Sequence, residues 1–157
     1  MQIKLIAIGK TDQNELKSLI ALYQNRLRHY IKFEIDEIPD LKNTKHLSEN
    51  EQKQKESELI LSKIKNTDLL ILLDENGKQM GSVQFSQYLQ KQMNSGIKTL
   101  AFVIGGPYGF SKEVYHKAVS KISLSKMTFS HQMVRLFFVE QLYRGFTILR
   151  NEPYHHR

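Results

Sequence analysis

Five stretches of this 157-residue sequence carry groups suited to chemistry. The apolar run Leu100 to Ile104 leads directly into Gly105-Gly106-Pro107-Tyr108-Gly109. Residues without Cβ expose N–H and C=O groups to a ligand, although such a turn serves equally well just to redirect the chain. Leu124-Ser125-Lys126-Met127-Thr128-Phe129 offers backbone groups and a thioether, which suit a flat apolar ligand better than a polyphosphate. His131 and Arg135 lie one turn apart at the start of a long apolar segment, where the histidine suits proton transfer or a plain helix cap. Glu140 and Arg144 have the i,i+4 spacing of an ordinary helical ion pair. The end of the chain, Tyr154-His155-His156-Arg157, gathers a phenol, two imidazoles and a guanidinium.

Other chemistries are missing their residues. There is no cysteine, so disulfides and thiolate metal sites are excluded. No His/Asp/Glu spacing marks a metal centre, and no G-x-S-x-G elbow is present. Gly9-Lys10-Thr11 after the first apolar run is not a dinucleotide fingerprint, and no P-loop occurs. No apolar run approaches the ~18 residues of a membrane span, and no signal-peptide pattern precedes the first strand, so a soluble cytoplasmic protein is expected. Net charge is +7 and unevenly placed. Residues 1–78 hold 13 basic and 13 acidic side chains, whereas residues 79–157 hold 10 basic and only three acidic ones. A cationic half favours a polyanionic partner, because counterion release supplies most sequence-independent affinity for nucleic acid.

The elements that must position these groups alternate. Short apolar runs at Ile3–Ile8, Phe33–Ile38, Leu69–Leu73, Leu100–Ile104 and Ile122–Leu124 read as strands. Between them, Leu16, Leu19, Ile20, Tyr23 and Leu27, and then Phe85, Tyr88, Leu89 and Met93, recur at helical spacing. Asp12 and Ser111 are the expected caps of their helices, and Ser48 to Glu51 has the form of a capping box. From Ser48 to Glu58 no apolar side chain occurs, so that part of its helix is expected to project into water. Asp74-Glu75-Asn76-Gly77-Lys78 reads as a strand-to-helix loop. The spacing predicts one α/β domain over 1–157, a mainly parallel sheet with helices on both faces. Ligands gather beyond the carboxyl ends of such strands, which singles out the loops after Leu73, Ile104 and Leu124. The helix from His131 onward, about 20 residues or ~30 Å, carries apolar residues in nearly every direction. It therefore needs cover on two sides, part of it expected from a second copy of the chain.

Leu73-Asp74, Ile104-Gly105-Gly106-Pro107, Leu124 to Phe129 before His131-Gln132-Met133, Glu140 to Arg144 and the terminal Tyr154-His155 occur in one order and spacing. Over essentially its whole length the chain resembles the bacterial ribosomal RNA large subunit methyltransferase H family, of the SPOUT (α/β-knot) superfamily. The resemblance implies a C-terminal trefoil knot, a homodimer, and S-adenosylmethionine bound by Leu73, Gly105 and Leu124, Ser125, Lys126, Met127, Thr128 and Phe129. It implies methyl transfer to N3 of a pseudouridine in the intersubunit stem-loop of 23S rRNA, within the assembled ribosome and without a metal. On that basis His131, Tyr154 and His155 are the expected catalytic residues, and Arg135, Arg144 and Arg157 the expected phosphate contacts. Two positions depart from the pattern: relatives carry Pro where this chain has Ser130, and the tail has an additional histidine, His156. The competing readings are an unknotted Rossmann-type methyltransferase using Asp36 or Glu37 for the ribose, and a ribosome-docking factor without turnover.

Overall fold

The computed structural model describes residues 1–156, so Arg157 and its expected phosphate contact lie outside the described residues. Five strands, β1 (Gln2–Ile8), β2 (Lys32–Ile38), β3 (Asp68–Gln79), β4 (Thr99–Ile104) and β5 (Ser120–Ser123), form one parallel sheet in the order β2-β1-β4-β3-β5. Helices α1 (Asn14–Leu27), α3 (Ser82–Asn94) and α5 (Met133–Leu149) cover one face, and α2 (Glu49–Ser62) and α4 (Lys112–Lys117) the other. Leu69–Leu73 of β3 and Leu100–Ile104 of β4 are apolar throughout because helices cover both faces of the sheet there. Along β4, Leu100, Phe102 and Ile104 enter the first core while Ala101 and Val103 enter the second.

Four local expectations are corrected. Asp12 does not cap α1; its backbone N–H is taken by Gln132 Oε1 at 3.2 Å, and the N-cap is Gln13, whose side chain makes no capping bond. The expected loop Asp74–Lys78 belongs to β3, which bulges after Leu73 and rejoins β5 at Lys78 and Gln79. The Asn-Gly turn signal is overridden there by pairing with β5, and a Cβ on Gly77 would lie 2.6 Å from the backbone of Ile122. The polar half of α2 does not simply project into water, since Glu56 and Ser57 are buried. The last strand stops at Ser123, and α5 starts at Met133 with 17 residues. Ser48 and Glu51 do form the reciprocal capping box, and Ser111 Oγ accepts from Val114 N.

The long helix is covered largely within its own chain. Phe138, Val139, Leu142 and Phe146 are buried, with Phe138 packed 4.7 Å from Phe102, and α1 and α3 flank the helix. What is left uncovered is narrower than expected: Met133 and Phe137, 37% and 40% exposed, one turn apart. From the edge strand β5, residues 124–132 carry the chain back across the strand tips. Thr128 bonds Glu75 on the way, and Gln132 Nε2 donates to Lys10 O at 3.0 Å. This return past the bulge of β3 is consistent with the threading of a trefoil knot.

Candidate active site

The tips of β3, β4 and β5 and the loops beyond them enclose a cavity of about 460 Å³. Leu73, Gly105, Leu124, Ser125, Met127, Thr128 and Phe129 line it, and Lys126 does not. His131 stands in the wall. The size falls within the ~300–1,000 Å³ usual for small-molecule sites, and the lining mixes backbone with apolar side chains as such sites do.

Each wall is held from behind. Ser123 Oγ donates to Ser125 O at 2.8 Å, and Met127 N donates to Ser125 Oγ at 2.9 Å, which folds the loop after β5 into a tight turn. Gly109, at φ 76°, closes the loop after β4 by donating to Gly106 O at 3.1 Å. Beneath that loop lies α2. Ser57 Oγ accepts from Ser111 N at 3.0 Å, and Glu56 packs so near Gly106 that a Cβ there would meet Glu56 Oε2 at 2.0 Å. Gln52 Nε2 donates to Glu56 Oε1 at 2.9 Å, whereas Oε2 has no partner, and burial pushes this carboxyl above its ordinary range. On the β3 side, Tyr115 Oη donates to Asp74 Oδ2 at 2.7 Å and Asn76 N to Asp74 Oδ1 at 2.8 Å. Burial and the Asp74 carboxylate push the Tyr115 phenol up to about 12. Thr128 Oγ1 donates to Glu75 Oε2 at 3.1 Å, joining the bulge of β3 to the loop after β5.

Arg135 is not available to RNA. It is 1% exposed, and its guanidinium donates to Ile8 O at 2.9 Å, to Thr11 Oγ1 at 3.0 Å and to Glu37 Oε1 at 3.3 Å. Its Nε donates to His131 O at 2.9 Å. Burial pulls its pKa down and Glu37 opposes that shift. The side chain ties the start of α5 to the loop after β1, and so fixes the backbone that carries His131.

The remaining expected residues form a second cluster, away from the cavity wall. Arg144 binds Glu140 Oε1 through Nη2 at 2.6 Å and Nε at 3.1 Å, the expected i,i+4 pair. Its guanidinium lies over the Tyr154 ring at 4.7 Å, and Nη1 is 3.4 Å from His155 Nδ1. Tyr154 Oη donates to the same Glu140 Oε1 at 3.0 Å and stands 3.3 Å from Tyr23 Oη. Burial, followed by the bonds to Tyr23 and Glu140, raises the Tyr154 phenol well above its usual range. Tyr154, His155, Glu140 and Arg144 do not line the cavity. Glu140 is seven residues along α5 from Met133, roughly 10 Å of helix.

The family model described as "Predicted SPOUT methyltransferase" matches residues 1–155. The chain belongs to the SPOUT methyltransferase family. Proteins named "Ribosomal RNA large subunit methyltransferase H" are similar over their full length. Those of Christiangramia forsetii and Flavobacterium johnsoniae are each 71% identical over 157 residues, covering 100% of both chains. That of Parabacteroides distasonis is 61% identical over 156 residues, covering 99% of both. Among the described residues of this SPOUT methyltransferase no group of three or more His, Asp or Glu could hold a metal ion, and no helix is long and apolar enough to cross a membrane.

Sequence reasoning missed several members of the SPOUT cavity. Asp74, Glu75 and Tyr115 line it, as does Phe110, which lies against Gly105, where a Cβ would meet its ring at 3.0 Å. The strand-end rule pointed at the loop after Leu73 but not at its carboxylates. Nothing in the polar run before Leu59 marks Glu56 and Ser57 as the support of a loop 50 residues later. Ser130 accepts from Met133 N through its hydroxyl at 3.1 Å and so helps start α5.

Proposed function

We propose that this chain methylates N3 of a pseudouridine in the intersubunit stem-loop of 23S rRNA, in the assembled ribosome, using S-adenosylmethionine and working as a homodimer. The observation that carries this reading is the cavity at three adjacent strand tips, in a SPOUT methyltransferase 71% identical over its whole length to rRNA large subunit methyltransferases. The cavity suits the cofactor: Leu73, Gly105 and residues 124–129 supply peptide groups and apolar contacts of the kind an adenosine needs. Gly106 lies where any side chain would strike Glu56, so the loop backbone stays close to its support. Bound there, S-adenosylmethionine supplies an electrophilic methyl group on a sulfonium.

The chain's own residues then have two tasks. They must hold the base in line with that methyl, for which positioning contributes up to ~7–11 kcal/mol in well-oriented cases. They must also take the imide proton from N3, and His131 in the cavity wall or His155 in the tail is a suitable acceptor. Because Tyr154 and His155 stand off the cavity of their own chain, we assign them to the cavity of the partner. There Tyr154 stacks on a base, worth ~1–3 kcal/mol in single-stranded recognition, and Arg144 and Arg157 contact phosphates. The exposed Met133 and Phe137 on α5, and Leu19 and Leu22 on α1, are the apolar surface such a dimer would cover.

Mass mapping of 23S rRNA from cells with and without the protein tests the reaction. A methyl group on the stem-loop pseudouridine that disappears with the gene is the expected result, and an unchanged map refutes it. A thermal shift with S-adenosylmethionine tests the cofactor separately, since a docking factor without turnover would show none.

A further inference from the structure

The cavity has an unbalanced charge. Asp74 and Glu75 line it, and among the described residues no lysine or arginine does. Asp74 is half-buried and fixed at both oxygens by Tyr115 Oη and Asn76 N, and Glu75 is held by Thr128. Neither forms a salt bridge among the described residues. Lys121 Nζ lies over the ring of Tyr115, the Asp74 partner, at 5.4 Å, and forms no salt bridge with the carboxylate.

This matters because methyl transfer changes the charge of what the cavity holds. The S–CH₃ bond breaks and its electron pair returns to sulfur. An N–CH₃ bond forms at the base, and the N3 proton leaves to a histidine or to water. The sulfonium cofactor has lost one positive charge, and its thioether product is otherwise the same molecule. A site without fixed charge would hold the two about equally.

We infer that Asp74 and Glu75 are the specificity-determining counter-charge of this cavity, favouring the sulfonium nucleoside over its thioether product and so promoting product exchange. The inference deepens the S-adenosylmethionine reading above and rests on it. No particular pose is needed. A cavity of about 460 Å³ is roughly 10 Å across, so any sulfonium inside lies within about one Debye length of both carboxylates at 0.1 M salt. A closer approach strengthens the effect. The two residues stand at the bulge of β3, where pairing with β5 does not need a charge.

Isothermal titration with S-adenosylmethionine and S-adenosylhomocysteine provides the test, on the full chain as wild type, Asp74→Asn, Glu75→Gln and the double variant. The amides keep size and one acceptor oxygen each, which suffices for Thr128 at Glu75 and for Tyr115 at Asp74, while the turn bond from Asn76 N is given up in Asp74→Asn. Each single change is expected to lower the affinity ratio, sulfonium over thioether, by about threefold. The double change should lower it by about tenfold, equal to ~1.4 kcal/mol, mainly through weaker sulfonium binding. The wild-type ratio should also fall as salt is raised, a readout that needs no variant to fold. A ratio unmoved by both substitutions and by salt overturns the counter-charge alone, with the cofactor reading intact. Failure of the wild type to bind either nucleoside overturns both.

Discussion

Gly106→Ala is the smallest change that tests whether α2 supports the loop after β4. The added methyl would lie 2.0 Å from Glu56 Oε2, 2.6 Å from Cδ and 2.9 Å from Oε1, all well inside contact distance. Glu56 is 3% exposed and packed beside Ser57, which is itself bonded to Ser111 N, so the carboxyl has little room to swing away. The loop must lift or the helix must yield. Overpacking of this kind costs about 1–3 kcal/mol, and for a chain of this size it lowers Tm by about 2–12 °C. The lifted loop should also weaken S-adenosylmethionine binding, because Gly105, Gly106 and Tyr108 line the cavity. The decisive comparison is Gly106→Ala in a Glu56→Ala background. With the carboxyl gone the methyl fits, so the two costs should fail to add by at least ~0.5 kcal/mol, within the range seen for residues in contact. Urea unfolding of the four proteins gives the coupling, and calorimetry the affinity. A Gly106→Ala protein as stable as wild type, or strictly additive costs, would show that the contact between α2 and the loop does not matter.

Arg135→Met should destabilise the fold by about 3 kcal/mol, the lower end for a broken buried pair because Glu37 is a third exposed. Chemical denaturation measures it, and a loss under ~1 kcal/mol would restore Arg135 as a candidate RNA contact. Glu56 carries a pH signature. Burial raises its folded pKa, so the folded chain holds this proton over a range where the unfolded chain has released it. Its stabilising contribution is complete below the unfolded pKa and is lost as pH rises through the folded one. Wild-type stability should therefore decline with rising pH across that window, and the decline should be shallower in Glu56→Gln; parallel pH–stability curves for the two would contradict the assignment.

Much of this arrangement was legible because its causes are local. Apolar runs bounded by turns marked the strands, with continuous apolarity in Leu69–Leu73 and Leu100–Ile104 reporting burial on both faces. Ser48 and Glu51 stated the start of α2 through side chains that reach their own helix end. The rule that ligands sit beyond parallel strand tips led to three loops, and the fold brings those loops to one cavity. What was illegible depends on partners distant in sequence. The spacing of His131 and Arg135 puts them one turn apart, yet only the fold shows the loop after β1 lying beside them and absorbing the guanidinium. Asp74–Gln79 carries a strong turn signal, but pairing with β5 holds Lys78 and Gln79 in the sheet. Glu56 lies in a run with no apolar residue, where periodicity has nothing to register. The two-sided apolarity of α5 demands cover, but the sequence cannot divide that cover between α1, α3 and a second chain.

The division of the expected catalytic residues between two places leads to a last prediction. A tail held by Tyr154 on Glu140 and Tyr23 is fixed to its own chain at mid-helix, and neither Tyr154 nor His155 lines that chain's cavity. In a two-fold dimer the same surface patch of each subunit faces the other, so a tail that misses its own cavity can serve the partner's. Two individually inactive proteins then distinguish the arrangements: one with its cavity blocked by Gly106→Arg, the other with its tail disabled by Tyr154→Ala and His155→Ala. Co-unfolded and refolded in equal amounts, they give about half mixed dimers, each with one intact cavity facing one intact tail. Methylation of ribosomes should return to about a quarter of the wild-type level, on the basis of that two-fold arithmetic. If the tail instead acted within its own chain, every cavity in the mixture would lack either its loop or its tail, and no activity would return.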